Sequence, residues 1–342
     1  MILFNNDYSE GAHESILALM QETNMAQTVG YGEDEYCERA RKLIMKAAEN
    51  ENAYVQFLVG GTQANLIACA AMMRPWQGVI SCDTGHVTAH EGGAIEATGH
   101  KVLIVPGVDG KLTAERVEAY YESYLRDPAR EHLVQPKMVY ISQSTEIGTV
   151  YSLAEIKALR EVCDKYGLYL YLDGARLSYA IAASDVTIKD LAELCDMFYI
   201  GGTKCGALFG EAMVIMNDEL KDDFRTLIKQ RGAMLAKGRL LGIQFLGLFT
   251  DDLYFRIAKQ AVDQAMRIRK AFNEKGVEML IDSPTNQQFP ILSDEQVKAL
   301  SDDFMFQLWE YLPDGRKSYR FCTSWATDIQ GVDKLVEAIA KL

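Results

Sequence analysis

Seven short runs of apolar, β-branched or aromatic residues punctuate the first two thirds of the chain: "AYVQFLVGG", "GVISCD", "KVLIVPG", "KMVYISQ", "LYLYLDG", "MFYIGG" and "EAMVIM". Most end in glycine or a small polar residue, the pattern of buried strands closed by turns. Amphipathic stretches separate them. In "SLAEIKALREVCDKYG" the Ser152 to Glu155 spacing predicts a capping box, and Gly167 a helix stop. Strands alternating with helices predict an α/β fold, a mostly parallel central sheet covered on both faces. From about residue 251 the texture changes to a long charged helix, "LYFRIAKQAVDQAMRIRKAFNEKG", then weak strands and a terminal helix, "GVDKLVEAIAKL". The expected division is an N-terminal segment (1–15), a large domain (16–250) and a smaller α+β domain (251–342).

Composition narrows the function. With 342 residues, 49% hydrophobic and 24% charged, the chain has the profile of a globular protein with a sizeable core. A formal charge of -13 argues against nucleic acid and anionic membranes as partners, though not against a small anion in a local basic pocket. The seven cysteines are scattered without metal-ligand spacing, so neither a disulfide framework nor a zinc cluster is expected. The N-terminus turns polar after four residues and no apolar stretch is long enough to cross a bilayer, so the expected location is cytoplasmic.

In α/β sheets ligands bind beyond the carboxyl ends of the strands. Four candidate groups stand there. "FLVGGTQANL" places Gly60, Gly61 and Thr62 before an apolar helix, an arrangement suited to a phosphate, although a glycine turn of this kind is often only structural. "YLYLDGARL" ends a strand on Asp173, with Gly174 permitting close approach and Arg176 nearby. A carboxylate there caps a helix or pairs with Arg176 in the bland reading, and holds a proton on a heteroaromatic nitrogen in the functional one. Lys204 follows the next strand among glycines and small residues, a setting for a Schiff-base amine rather than a solvated surface charge. Phosphate cup, strand-end aspartate and lysine are the three attachments that pyridoxal 5′-phosphate needs.

The fourth group, "SCDTGHVTAHEGGAIEATGHKV", carries His86, His90 and His100. Without a third ligand or an HExxH pattern, no metal site is expected. His86 lying flat on a cofactor ring, with Glu91 and the two following glycines shaping a turn, competes with an ordinary solvated histidine.

Taken in order, "YGEDEY", "GGTQANL", "GHVTAHEGGA", "LYLDGARL", "GGTKCGALFG" and "YRFCTSWAT" resemble the landmarks of the low-specificity L-threonine aldolases, pyridoxal-phosphate enzymes of fold type I. The resemblance spans nearly the whole chain. It implies aldol cleavage of a β-hydroxy-L-amino acid of the L-threonine or L-allo-threonine type to glycine and an aldehyde, through a Schiff base on Lys204. Asp173 would pair with the ring nitrogen, His86 would stack on the ring, and Gly61, Thr62 and Thr203 would meet the phosphate. Arg176 and Arg320, with Asn6, would hold the substrate carboxylate. It further implies a homodimer or homotetramer with sites at the dimer interface, where Arg231, Lys237 and Tyr31 would reach a neighbour's site. Three departures stand out. Glu146 in "SQSTEIGT" occupies a place where many members carry histidine, the turn "RGAMLAKGR" is altered, and "FNNDYSEG" has Asn6 where others have serine. For the hydroxyl proton the candidates are His86, Glu146 or a water, with His86 or its water preferred and Glu146 tuning the pocket. The alternatives are a β-eliminating lyase or a phenylserine-type aldolase on the same fold, and, from another class, a non-catalytic phosphate-binding module in which Lys204 is only a phosphate contact.

Overall fold

A computed structural model describes residues 1–342. Its N-terminal strand β1 (Ile2–Leu3) is followed by all seven strands expected from the hydrophobic runs: β2 (Tyr54–Leu58), β3 (Gln77–Cys82), β4 (Lys101–Val105), β5 (Gln135–Ser142), β6 (Tyr169–Asp173), β7 (Met197–Gly201) and β8 (Glu211–Ile215). These seven form one sheet in the order β2-β8-β7-β6-β5-β3-β4. Every neighbouring pair is parallel except those made by β8, which runs antiparallel to both β2 and β7. The expectation of a mostly parallel α/β sheet is met. Strands β3 and β7 are buried along their whole length, which is why they read as unbroken apolar runs rather than alternating ones. Edge strand β4 instead exposes Lys101 and Ile104.

Side chains of successive strand residues point to opposite faces. Phe198, Ile200, Leu170, Leu172, Val139 and Ile141 therefore enter the core on one face. Tyr199, Tyr171, Tyr140 and Met197 enter the second core on the other. Asp173 and Ser142 share the parity of the tyrosines and are register partners at the strand ends. The helix Gly61–Met72 covers this second face through Ala64, Ile67, Ala68 and Met72. Its sequence, rich in alanine, packs close to the sheet. On the opposite face the helix Leu153–Tyr166 opens with the capping box of Ser152 and Glu155 and stops at Gly167, whose φ is 64°.

The C-terminal region carries a second, antiparallel sheet in the order β11-β12-β9, from β9 (Gln287–Gln288), β11 (Gln307–Tyr311) and β12 (Lys317–Cys322), while β10 (Phe304–Met305) pairs in parallel with β1. A third core gathers there around Phe272, Leu300, Phe304, Phe321 and Leu335, and includes Phe4. The helix Leu253–Glu274 spans both regions: Tyr254, Ile257 and Ala261 enter the large core and Ile268 and Phe272 the third. Backbone bonds from Phe4 to Met305 and from Cys322 to Phe4, both 2.7 Å, stitch the N-terminal segment into the C-terminal region. That stitching delivers the next residues of the segment to the ends of the large sheet.

Candidate active site

The chain runs from β3 to β4 at one edge and then returns to β5 on the other side of β3. Such a reversal opens a crevice at the carboxyl ends of the strands. A cavity of about 260 Å³ lies there. Its walls are the last residues of the parallel strands and the loops that follow them, together with Phe209 and the first residue of β8. Of the candidates read from the sequence it gathers Gly61, Thr62, His86, Glu146, Asp173, Arg176, Thr203 and Lys204.

The loops after neighbouring strands β3 and β5 meet, so Glu146 Oε1 accepts from the His86 backbone N–H at 2.9 Å and from Ser142 Oγ at 2.7 Å. His86 Nδ1 lies 2.8 Å from Glu91 Oε1. Asn65, one turn into the helix Gly61–Met72, donates from Nδ2 to Glu91 at 2.6 Å and to Asp173 Oδ2 at 3.1 Å. Tyr140 also donates to Asp173 Oδ2, at 2.6 Å; its oxygen lies 3.3 Å from Ser142 Oγ, whose single proton goes to Glu146. Glu146, His86, Glu91, Asn65, Asp173, Tyr140 and Ser142 thus form one connected polar cluster, and the Tyr199 hydroxyl and Ala175 N–H complete the shell of Asp173 at Oδ1. Burial alone would raise the Asp173 carboxyl; the facing His86 and these donors outweigh it and hold it below the ordinary value, ionised. Neither bland reading of Asp173 survives, since it neither pairs with Arg176 nor caps the short helix Leu177–Ile181. Close approach at Gly174 is real: a Cβ there would collide with the Tyr199 carbonyl.

Burial works against the charge of His86, yet Glu91 and Asp173 together raise it above the ordinary histidine value. Glu91, expected only to shape a turn, is the orienting partner of that ring. Burial likewise raises the Glu146 carboxyl, and its Oε2 is buried without a partner. The Lys204 ammonium makes no hydrogen bond or ion pair; burial, then the charge of Arg176, push the amine below the ordinary lysine value. Arg176 itself is held at both ends of its fork by Asp7, from Nε at 2.7 Å and Nη2 at 3.0 Å. Asn286 adds a 2.9 Å bond to Asp7, and the carboxyl, although buried, is lowered to about 2 by Arg176 and Lys204.

Five other candidates lie outside this cavity. Asn6 spends its side-chain oxygen on the Tyr8 N–H and the Ser9 hydroxyl, and its neighbour Asp7 reaches the site instead. Arg320 is buried against Gln287 and Gln307, with its guanidinium carbon 5.0 Å from the Trp309 ring centre. The Trp309 ring lies 6.4 Å from His90, and that ring 5.7 Å from His86. Tyr31 stands beside Lys229 and the Arg225 guanidinium, Lys237 is exposed, and Arg231 has a buried Nε without a partner.

A family model described as "Beta-eliminating lyase" matches residues 7–294. The chain belongs to the β-eliminating lyase family. Among curated relatives of this lyase, a low specificity L-threonine aldolase of Pseudomonas aeruginosa is 32% identical over 98% of this chain and 96% of its own length. A solved structure of Leishmania major threonine aldolase superposes with a TM-score of 0.97 at 46% identity, covering 100% of this chain and 99% of the other. A histidinol-phosphate aminotransferase of Clostridium acetobutylicum, 12% identical with a TM-score of 0.76, shares the fold.

The cavity of this lyase fits pyridoxal 5′-phosphate at three points. The helix Gly61–Met72 starts on Gly60 with no side-chain cap, leaving its first amides free for a phosphate, and a Cβ on Gly61 would stand 2.9 Å from the Tyr199 hydroxyl. The ionised Asp173 offers an acceptor to a protonated ring nitrogen, and Lys204 offers an unengaged amine. Sequence reasoning missed Asp7, Asn65, Tyr140, Tyr199 and Glu211. The "YLYLD" alternation did carry a signal for Tyr171 and Asp173 sharing a face. Nothing local indicated that tyrosines of two strands, Tyr140 and Tyr199, would converge on one carboxylate.

Proposed function

We propose that this lyase cleaves the Cα–Cβ bond of a β-hydroxy-L-amino acid of the threonine type, giving glycine and an aldehyde. The observation that carries this reading is Lys204, unpaired and lowered by burial, in one cavity with an ionised Asp173 and the uncapped helix start at Gly61. Pyridoxal phosphate, when bound, supplies the electron sink that receives the charge left at Cα as the bond breaks. Lys204, with a larger neutral fraction than an exposed lysine, is the nucleophile for the coenzyme aldehyde. Asp173 keeps a proton on the ring nitrogen because four donors hold it ionised. His86, fixed by Glu91, would hold the ring by stacking on it.

Glu146 takes a larger part than the sequence suggested. Its Oε2 has no partner and burial raises its basicity, which suits it to accept the substrate's hydroxyl proton while His86 keeps the ring in place. The substrate carboxylate goes to Arg320, which has no carboxylate partner, assisted by the free Nη1 of Arg176. Phosphate contacts come from Gly61, Thr62 and Thr203. Arg231, Lys237 and Tyr31, remote from their own chain's cavity, serve the site of a second copy in a homodimer or homotetramer. A division into residues 1–15, 16–250 and 251–342 places the substrate between the last two. No helix is long and apolar enough to cross a membrane, and seven free, buried cysteines suit a reducing cytoplasm.

Incubation of the holoenzyme with L-threonine and L-allo-threonine tests the reading. Glycine and acetaldehyde should appear in equal amounts, and K204A should lose on the order of 10⁴-fold in turnover. An α-keto acid and ammonia instead would assign the protein to β-elimination.

A further inference from the structure

Because β8 runs against the other strands, its first residue, not its last, stands at the ligand end of the sheet. Glu211 is in register with Leu58 on one side and Gly201 on the other. It therefore sits beneath both loops proposed to hold the phosphate, the one leading into Gly60 and Gly61 and the one carrying Thr203. The side chain is buried and lines the cavity. Its Oε2 accepts from the Gly202 N–H at 3.1 Å, and its Oε1 accepts from the Thr203 hydroxyl at 2.9 Å. Thr203 Oγ1 in turn accepts from the Gly210 N–H at 3.0 Å.

A hydroxyl has one proton to give. While Glu211 is ionised, Thr203 spends that proton on the carboxylate and shows a phosphate only lone pairs, with a buried negative charge behind them. Once Glu211 is protonated the bonds reverse: the carboxyl O–H donates to Thr203 Oγ1, and the Thr203 O–H is released toward the phosphate. We infer that Glu211 takes up and keeps a proton from solvent as the coenzyme phosphate binds, and that Thr203 turns its own O–H to the phosphate in response, making coenzyme affinity proton-linked. The inference rests on the placement of the phosphate proposed above.

The surroundings favour this. Burial pushes Glu211 up to about 8, against the Thr203 hydrogen bond and the charge of Lys204, and with support from Asp173. Tyr171, Tyr199, Tyr254 and Cys205 also face it, and all four are held above their ordinary values, neutral at physiological pH. Lys204 is the one cation among these groups. An incoming phosphate dianion raises the carboxyl further, since like charges side by side cannot both persist in a dry site.

The test uses apoenzyme and pyridoxine 5′-phosphate, which keeps the phosphate and ring but lacks the aldehyde, so bond formation at Lys204 does not enter. Affinity and proton uptake are measured by calorimetry from pH 7 to 9.5, above the phosphate's second ionisation, in buffers of different ionisation enthalpy. Wild-type affinity should fall more steeply above pH 8 than that of E211Q, by up to about tenfold per pH unit, with one additional proton taken up. Titration of the ring nitrogen is common to both proteins and cancels. Equal slopes and equal proton counts would overturn the inference. Should E211Q fail to fold, infrared difference spectra of wild type at pH 9 decide: a protonated-carboxyl band must be gained on binding, and its absence is equally fatal. If the phosphate lies elsewhere, T203A will leave affinity unchanged at every pH, an outcome that also sinks the parent placement and is distinct from a lost pH slope alone.

Discussion

Arg176 and Arg320 are buried to nearly the same degree, 9% and 8% exposed, yet their partners differ in kind. Arg176 meets the Asp7 carboxylate with two bonds, and the pair is close to neutral. Arg320 has only neutral oxygens: Gln287 Oε1 at 3.1 Å, Gln307 Oε1 at 2.5 Å and the Asn5 carbonyl at 3.3 Å, with the Trp309 face beside it. Its Nε is buried and unpartnered. A guanidinium held this way keeps its whole charge, which is costly to bury until an anion arrives. Both arginines act on one buried thiol, Cys322, as do Asp7 and Lys204, so the compensated and uncompensated cations belong to one electrostatic neighbourhood. The difference is the basis for proposing that Arg176 serves mainly the architecture and Arg320 the ligand.

Removing Asp7 is the strongest way to break that comparison. D7A leaves Arg176 buried and unpaired and frees Asn286, so denaturant unfolding should show a loss of about 3–5 kcal/mol. A loss near zero would mean that the pair is not structural. Replacing Arg320 should do the opposite. R320M, similar in length and apolar, should leave unfolding stability unchanged or higher, while KM for the amino-acid substrate rises about ten- to a hundredfold, the value of one charged hydrogen bond. If stability collapses and KM holds, the two arginines have exchanged roles.

A smaller effect sharpens the contrast through pH. The Asp7 carboxyl is lowered from 3.8 to about 2 on folding. A lowered acid contributes stability that is present above its unfolded value and is lost as pH falls through the folded one. Wild type should therefore give up on the order of 2 kcal/mol between about pH 4 and pH 2. D7N should flatten that part of the acid limb, as followed by unfolding midpoints, whereas R320M should keep it.

Much of this was legible from the chain alone. A strand of the covered sheet is largely apolar, so seven short apolar runs named seven strands, although β8 proved antiparallel and edge strand β4 partly exposed. A helix without a side-chain cap advertises free amides, and "VGGTQANL" showed it beside "YSLAEIKAL", where Ser152 and Glu155 close the cap. Lys204 and Asp173 stood out because a charge at the end of a buried strand needs a reason to be there. The hydrogen-bonded shell of Asp173 was not legible, because its donors Asn65, Tyr140, Ala175 and Tyr199 come from separate stretches in which none of them stands out.

The order of strands, helices and strand-end charges was therefore written in local periodicity, which depends on what each residue must bury. Which charge meets which was decided by the tertiary structure. Asp7 reaches Arg176 because β1 is stitched to the C-terminal region, and Glu211 lies beneath the loops that follow β2 and β7 because β8 alone runs antiparallel. Coulomb and hydrogen-bond energies act over a few ångströms of space, and no spacing along the chain reports that distance.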